Sequence, residues 1–235
     1  VCVRGLCCPD NPWTPVAGWG VWVPINRQAI EKTGRLLEYT MRPKWTARDV
    51  ALEVLTRIER GGIHATQALD EKLSVITGLS GPDRALITEL VYGVLRHRRR
   101  IDRALEAWSR QRLPSTHPLV LRLLRLGAYQ ILLLSRVPAR AAVDHAVRAV
   151  KRTLGPAPAG FVNAVLRKVS RLSIAEMSWP SDGARLSYPE WIVDTFRAEL
   201  GDDAVPALER MNLAPPVTER ADGYVQDESS QWVAA

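Results

Sequence analysis

Cysteine is nearly absent from this 235-residue chain: Cys2, Cys7 and Cys8 are the whole complement. With none beyond residue 8, a disulfide framework or a thiolate metal site is excluded from the body of the protein. The usage fits a reducing, cytoplasmic setting. Aromatic residues are also few, at 6%, and eight of them are Trp. No long apolar run survives inspection, because Leu119–Leu134 is broken by Arg122 and Arg125, and a membrane is not expected as a partner. The N-terminus lacks the Met, basic flank and apolar stretch of a signal peptide. Catalytic patterns are missing as well. The stretch Gly155-Pro156-Ala157-Pro158-Ala159-Gly160 lacks the Lys and Ser/Thr of a phosphate-binding loop. His64, His97, His117 and His145 are too scattered for a metal cluster, and Ser229-Ser230 has no neighbouring base. No catalytic, cofactor-binding or metal-ligating residue is expected in this chain.

What is present is charge, unevenly placed. Met41–Leu172 holds 24 Lys/Arg against 10 Asp/Glu, Ser173–Ala235 holds 4 against 12, and residues 1–40 hold 4 against 3. The overall charge of +7 hides a strongly basic block joined to an acidic one. A basic block of that size is a footprint for a polyanion, and a soluble helical domain meets nucleic acid most often in that role. A scaffold that binds acidic proteins is the plainer alternative.

Three segments are expected. Residues 1–40 carry Trp13, Trp19, Trp22, all the Cys and scattered Pro and Gly without a period. They read as a non-native or disordered extension ahead of a native start at Met41, or as a genuine extension that docks its tryptophans. Residues 41–172 read as consecutive helices. Thr46 is an N-cap with Asp49 three residues on, and Val50, Val54, Leu55 and Ile58 form a stripe that ends at Gly61-Gly62. A second helix covers Thr66–Val75. Pro82 opens a third, with Leu86, Leu90, Val94 and Ile101 on one face. Leu119–Leu134 is the central buried helix, Pro138 starts one through Leu154, and Ala159–Leu172 follows a loop at Gly155–Pro158. No period-two pattern occurs in this block, so the fold class is all-α, a helical bundle. Residues 173–235 read as a short, incomplete helical linker, with a helix opening at Tyr188-Pro189-Glu190-Trp191 and running to about Leu200, and another over roughly Ala204–Leu213, stopped by Pro215-Pro216. The order ends on Val233-Ala234-Ala235 in mid-pattern, as a cut chain would.

The sharpest candidate site is Arg96-His97-Arg98-Arg99-Arg100, expected at the end of the third helix. Arginine matches phosphate with its fork of donors and unpaired bases with its planar face. The competing reading is a solvated helix end whose charge complements the helix dipole. Lys151-Arg152 and Arg167, Lys168 and Arg171 are secondary candidates for the same role. Arg122 and Arg125, in the most apolar helix, are expected to snorkel or to pair with a carboxylate such as Asp144.

Several stretches resemble one family. Arg84-Ala85-Leu86-Ile87-Thr88-Glu89-Leu90-Val91-Tyr92-Gly93-Val94-Leu95-Arg96, Leu123–Leu132, Val137-Pro138, Ala142–Val147 and Gly160–Arg167 resemble the NusB-like RNA-binding domain. The wording Phe161-Val162-Asn163-Ala164-Val165-Leu166-Arg167 followed by Ser187-Tyr188-Pro189-Glu190-Trp191 is similar to the RsmB (Sun) ribosomal RNA cytosine-C5 methyltransferases. Gln226-Asp227-Glu228-Ser229-Ser230-Gln231 matches the segment that leads, in that family, into the methyltransferase domain. The resemblance covers about residues 44–235.

That resemblance implies an RNA-binding (NusB-like) domain ahead of an S-adenosylmethionine-dependent catalytic domain, with small-subunit ribosomal RNA as the partner and a protein partner besides. The family's cofactor loop and its catalytic cysteine, a thiolate nucleophile, have no counterpart here. Only Ala221 and Asp222 separate Arg220 from Gly223, where the family has a longer stretch. The chain is therefore expected to be a fragment without its catalytic domain, and S-adenosylmethionine is implied for the full-length family alone. A stand-alone NusB-like module of the antitermination type, without catalysis, is the alternative.

Overall fold

The computed structural model describes residues 13–15, 22–24, 46–108, 113–213 and 218–225, and among them the first helix starts at a capping signal of the sequence. The chain forms two units, residues 1–45 and 46–235. In the first, strands β1 (Trp13–Pro15) and β2 (Trp22–Pro24) pair antiparallel, Thr14 opposite Val23. The rest of residues 1–40, which the sequence reading set apart, lies outside the described residues.

In the second unit Thr46 closes a capping box with Asp49 and starts α1 (Ala47–Glu59). The chain continues through α2 (Ala65–Val75), α3 (Gly81–Arg96), α4 (Arg98–Glu106), α5 (Pro118–Leu133), α6 (Ala139–Leu154) and α7 (Pro156–Val169). The acidic part adds α8 (Asp182–Leu186), α9 (Glu190–Leu200) and α10 (Ala204–Met211). Between residues 46 and 213 the described structure is helices, turns and short 3-10 segments, so the all-α expectation holds.

Helix α5 is the axis of the core. Leu123, Leu124, Leu126 and Ala128 are fully or almost fully buried, and α1, α3, α4, α6 and α7 all pack on it. Two glycines let neighbours come close. A Cβ on Gly93 of α3 would lie 2.0 Å from Tyr129 Cζ, and one on Gly127 would lie 2.6 Å from Leu166 Cδ1 of α7. Helices α8 to α10 gather a small core of their own around Leu186, Val193 and Leu208.

Three expectations are corrected. The third helix does not carry Ile101: His97 (φ −97°, ψ 18°) interrupts the ladder, so Ile101 is buried from α4 instead. There is no loop at Gly155–Pro158. Gly155 alone, at φ +90°, turns the chain, and α7 starts at Pro156 with Pro158 also in its first turn, where a missing N–H costs no helical bond. Arg122 and Arg125 do not reach Asp144, which lies 3.8 Å from the exposed Arg140. Arg125 is 5% exposed and donates to both oxygens of Asp102 (2.7 and 2.8 Å) and to Glu59 (3.1 Å), while Arg122 donates to the other Glu59 oxygen at 2.9 Å. The clamp ties α1, α4 and α5 together. Removing one member of a buried pair strands the others, at a cost of about 3–5 kcal/mol. Arg125→Met is therefore expected to lower unfolding free energy by about 3 kcal/mol, read as a reduced denaturant midpoint at an unchanged slope. A midpoint within error of wild type would show that the clamp adds nothing.

Candidate nucleic-acid interface

The arginine cluster sits at the corner between α3 and α4, and the structure divides it. Arg96 ends α3, where a cation suits the helix dipole. Arg98, Arg99 and Arg100 form the first turn of α4, where the same dipole opposes them by roughly 0.3–1 kcal/mol each. Dipole complementarity thus accounts for Arg96 and fails for the other three.

The corner is held from a distance. His97 gives α4 no side-chain cap. The hydroxyl of Ser187 supplies it, accepting from the backbone N–H of Arg99 (3.1 Å) and Arg100 (3.5 Å). Ser187 adopts φ +67° at the end of α8, a left-handed conformation unusual for a residue with a Cβ. The Ser187–Trp191 wording therefore has a structural function: it stops α8, caps α4 and starts α9.

The side chains go separate ways. Arg98 and Arg99 are exposed, and Arg96 is half-buried. Arg100 turns inward, its guanidinium 5.6 Å from the ring centroid of Trp179. Burial, and then Arg185 nearby, lower its pKa, and its Nε has no partner. It belongs to the contact between α4 and the acidic segment, although the sequence grouped it with its neighbours. His97 lies behind the corner, stacked on Tyr129 at 6.1 Å between centroids, with Nδ1 buried and unpartnered. Tyr129 donates to Glu89, and burial followed by that contact pushes its pKa up.

The secondary candidates fall at two other places. Lys151 and Arg152 end α6 beside the Gly155 turn, and Arg152 lies 3.6 Å from Asp49. From there α7 carries the chain about 17 Å, at 1.5 Å per residue, to Arg167 and Lys168 in its last turn. Arg167 donates to Asn163 of its own helix. Lys168 leans over Trp108, at the far end of α4, and Arg171 lies near the same indole, beyond the helix end. Of the nine candidates, Arg152 alone has a carboxylate within 4 Å among the described residues. Several of the block's carboxylates are taken up elsewhere: Glu53 by Lys72, Glu59 and Asp102 by the arginines of α5, Glu71 by Arg57 and Glu89 by Tyr129. Sequence reasoning missed Trp108, Trp179 and Ser187, whose roles arise from contacts far apart in the chain. Among the described residues no group of three metal-ligating side chains exists, and no helix is long and apolar enough to cross a membrane.

The model of the NusB family matches residues 46–171. A probable ribosomal RNA small subunit methyltransferase B of Bacillus subtilis is 34% identical over 180 residues, covering 74% of this chain and 39% of that protein. The ribosomal RNA small subunit methyltransferase B of Thermus thermophilus is 38% identical over 159 residues, covering 68% and 37%. The chain thus spans about two fifths of the length of these relatives. Among solved structures, the antitermination factors NusB and NusE in complex with double-stranded RNA include a chain that is 23% identical, with a TM-score of 0.49, covering 53% of this chain and 93% of that one. The structure of PH0851 shares the helical fold at a TM-score of 0.57 and 13% identity, over 72% of this chain and 38% of that one.

Burial, reinforced by Arg100 and Arg96, lowers the pKa of His97 to about 4. The unfolded chain protonates this histidine near its ordinary value while the native corner resists, so its contribution to stability is complete above pH 6.5 and lost as pH falls towards 4. His97→Phe keeps an aromatic ring against Tyr129 without a proton to gain. The stability difference between the two proteins is expected to be constant above pH 7 and to shift in the variant's favour between pH 6.5 and 4.5. A difference that does not vary with pH would show that His97 protonates freely in the folded state.

Proposed function

This chain belongs to the NusB family, and from that premise we propose that it is the RNA-gripping part of a methyltransferase that modifies a cytosine carbon of small-subunit ribosomal RNA. One observation carries the RNA contact. Arg98 and Arg99 are held exposed, without a carboxylate partner among the described residues, in a helix first turn that opposes their charge. A fold keeps cations in so unfavourable a place when a polyanion completes them, and phosphate does so with charge-assisted, two-pronged hydrogen bonds. Arg96 supplies a third charge at the same corner. Arg100 does not join it, because its guanidinium is engaged with Trp179.

The methyltransferase part of the proposal rests on the names of the relatives and on the length of them that this chain covers. S-adenosylmethionine is the methyl donor this reading implies. The described residues do not fit it: none forms a strand leading into a glycine-bearing turn at a helix N-terminus. Methyl transfer in this reading is work for the part of the relatives that the chain does not span. The residues described here bind and orient the RNA. That division suits an enzyme in the cytoplasm, acting during ribosomal RNA processing.

Two measurements test the reading. If each arginine of the corner replaces one counterion, the logarithm of affinity for single-stranded RNA falls with the logarithm of salt by about 0.7 per contact. The Arg96→Ala/Arg98→Ala/Arg99→Ala variant is expected to flatten that slope by about 2; an unchanged slope would reduce the corner to a solvated surface. Deleting the gene is expected to remove one 5-methylcytosine from small-subunit ribosomal RNA, read by bisulfite sequencing. An intact methylation pattern would confine the protein to binding.

A further inference from the structure

The two ends of α4 differ. At the first end stands the arginine corner; at the second, Trp108 borders a cleft of about 340 Å³, near the lower limit for ligand sites. Trp108 is 41% exposed. Arg103 and Arg171 line the cleft with it, and Lys168 holds its ammonium 5.8 Å from the Trp108 ring centroid. Leu172 and Met177 add apolar lining. Two carboxylates are near: Glu176 lines the cleft, and Glu106 approaches Arg103 only to 3.9 Å.

An exposed indole amid cations is the arrangement on which proteins stack unpaired bases, whereas duplex RNA hides its base faces. We infer that the Trp108 cleft takes one unpaired base of single-stranded RNA, stacked on the indole, with the flanking phosphates on Arg103, Lys168 and Arg171. Lys168 leaves the ring face as the base arrives and turns to a phosphate. Glu176 opposes a phosphate in this place but accepts from the amino group of a base. The inference rests on the RNA-binding reading above and adds the strand state of the RNA. Helix α4 spans about 14 Å, so one short single strand reaches from the cleft to the arginine corner.

Fluorescence anisotropy of the full chain with a short unstructured RNA, and with the same RNA annealed to its complement, tests this. Trp108→Ala is expected to weaken single-strand binding roughly five- to 150-fold, as loss of one stacked base does. Duplex binding and the salt slope should be unaffected, and Trp108→Phe should keep most of the affinity. Arg171→Ala, at an exposed position outside the helix, should instead lower the salt slope by about 0.7. Circular dichroism confirms folding, and should Trp108→Ala not fold, Trp108→Phe and Arg171→Ala carry the test. Equal losses on single strand and duplex would overturn the inference, as would competition by polyglutamate at the potency of RNA. A loss confined to Arg98→Ala/Arg99→Ala, with Trp108→Ala binding like wild type, would overturn it while leaving the RNA-binding reading intact. If the wild-type chain binds neither RNA at low salt, that reading fails and the cleft goes with it.

Discussion

The two candidate contacts at the ends of α4 both depend on how that helix is held, and Arg125 holds it. Helix α4 has just three buried side chains, Ile101, Ala104 and Leu105, and its other positions are largely arginine and acid. So polar a nine-residue helix is not stable by itself and needs tertiary anchorage. The forked bond from Arg125 to Asp102 provides it in the middle of the helix, and Glu59 extends the connection to α1. A charge buried in the most apolar helix is thereby turned into a fixed reference for both ends of α4, the arginine corner and the Trp108 cleft. The geometry is two-pronged, the form in which a guanidinium best offsets its desolvation.

The same economy of carboxylates explains why the block stays basic after folding. Most of its few acidic groups bridge helices or cap them: Asp49 caps α1, Asp83 faces the capping Ser80 of α3, Glu53 and Glu71 pair with cations across α1 and α2. Among the described residues none lies within 4 Å of Arg96, Arg98, Arg99, Lys168 or Arg171. Burial first, and then the neighbouring Arg100 and Arg96, keep His97 neutral, so the corner carries its charge on its arginines.

Local signals were legible in the sequence. The Thr46–Asp49 box, Pro82 in a first turn, the apolar run of α5 and the stop before Pro215 each depend on residues a few positions apart, and each marks an element as read. Failures came where a distant contact decides. Nothing local shows that the ladder breaks at His97; the break needs Tyr129 beneath the ring and Ser187 on the following amides. Pro156 and Pro158 look like a loop until Gly155 is seen to take the whole turn. The partner of Arg125 is 23 residues back in the chain, and no helical periodicity selects Asp102 over Asp144. For the site, the sequence showed which residues are cationic, but not that Arg100 faces inward or that Trp108 stands beside Lys168.

The cap that Ser187 places on α4 spans 88 residues. Contacts between positions so far apart close late in folding, because the intervening loop must first lose its entropy. The bundle of α1 to α7 has its core residues in hand before that bond can form, yet the first turn of α4 waits for the acidic segment to arrive. During synthesis, the arginine corner is therefore completed only after Ser187 has left the ribosome. A nascent chain therefore carries the core of the bundle before it carries a capped first turn of α4.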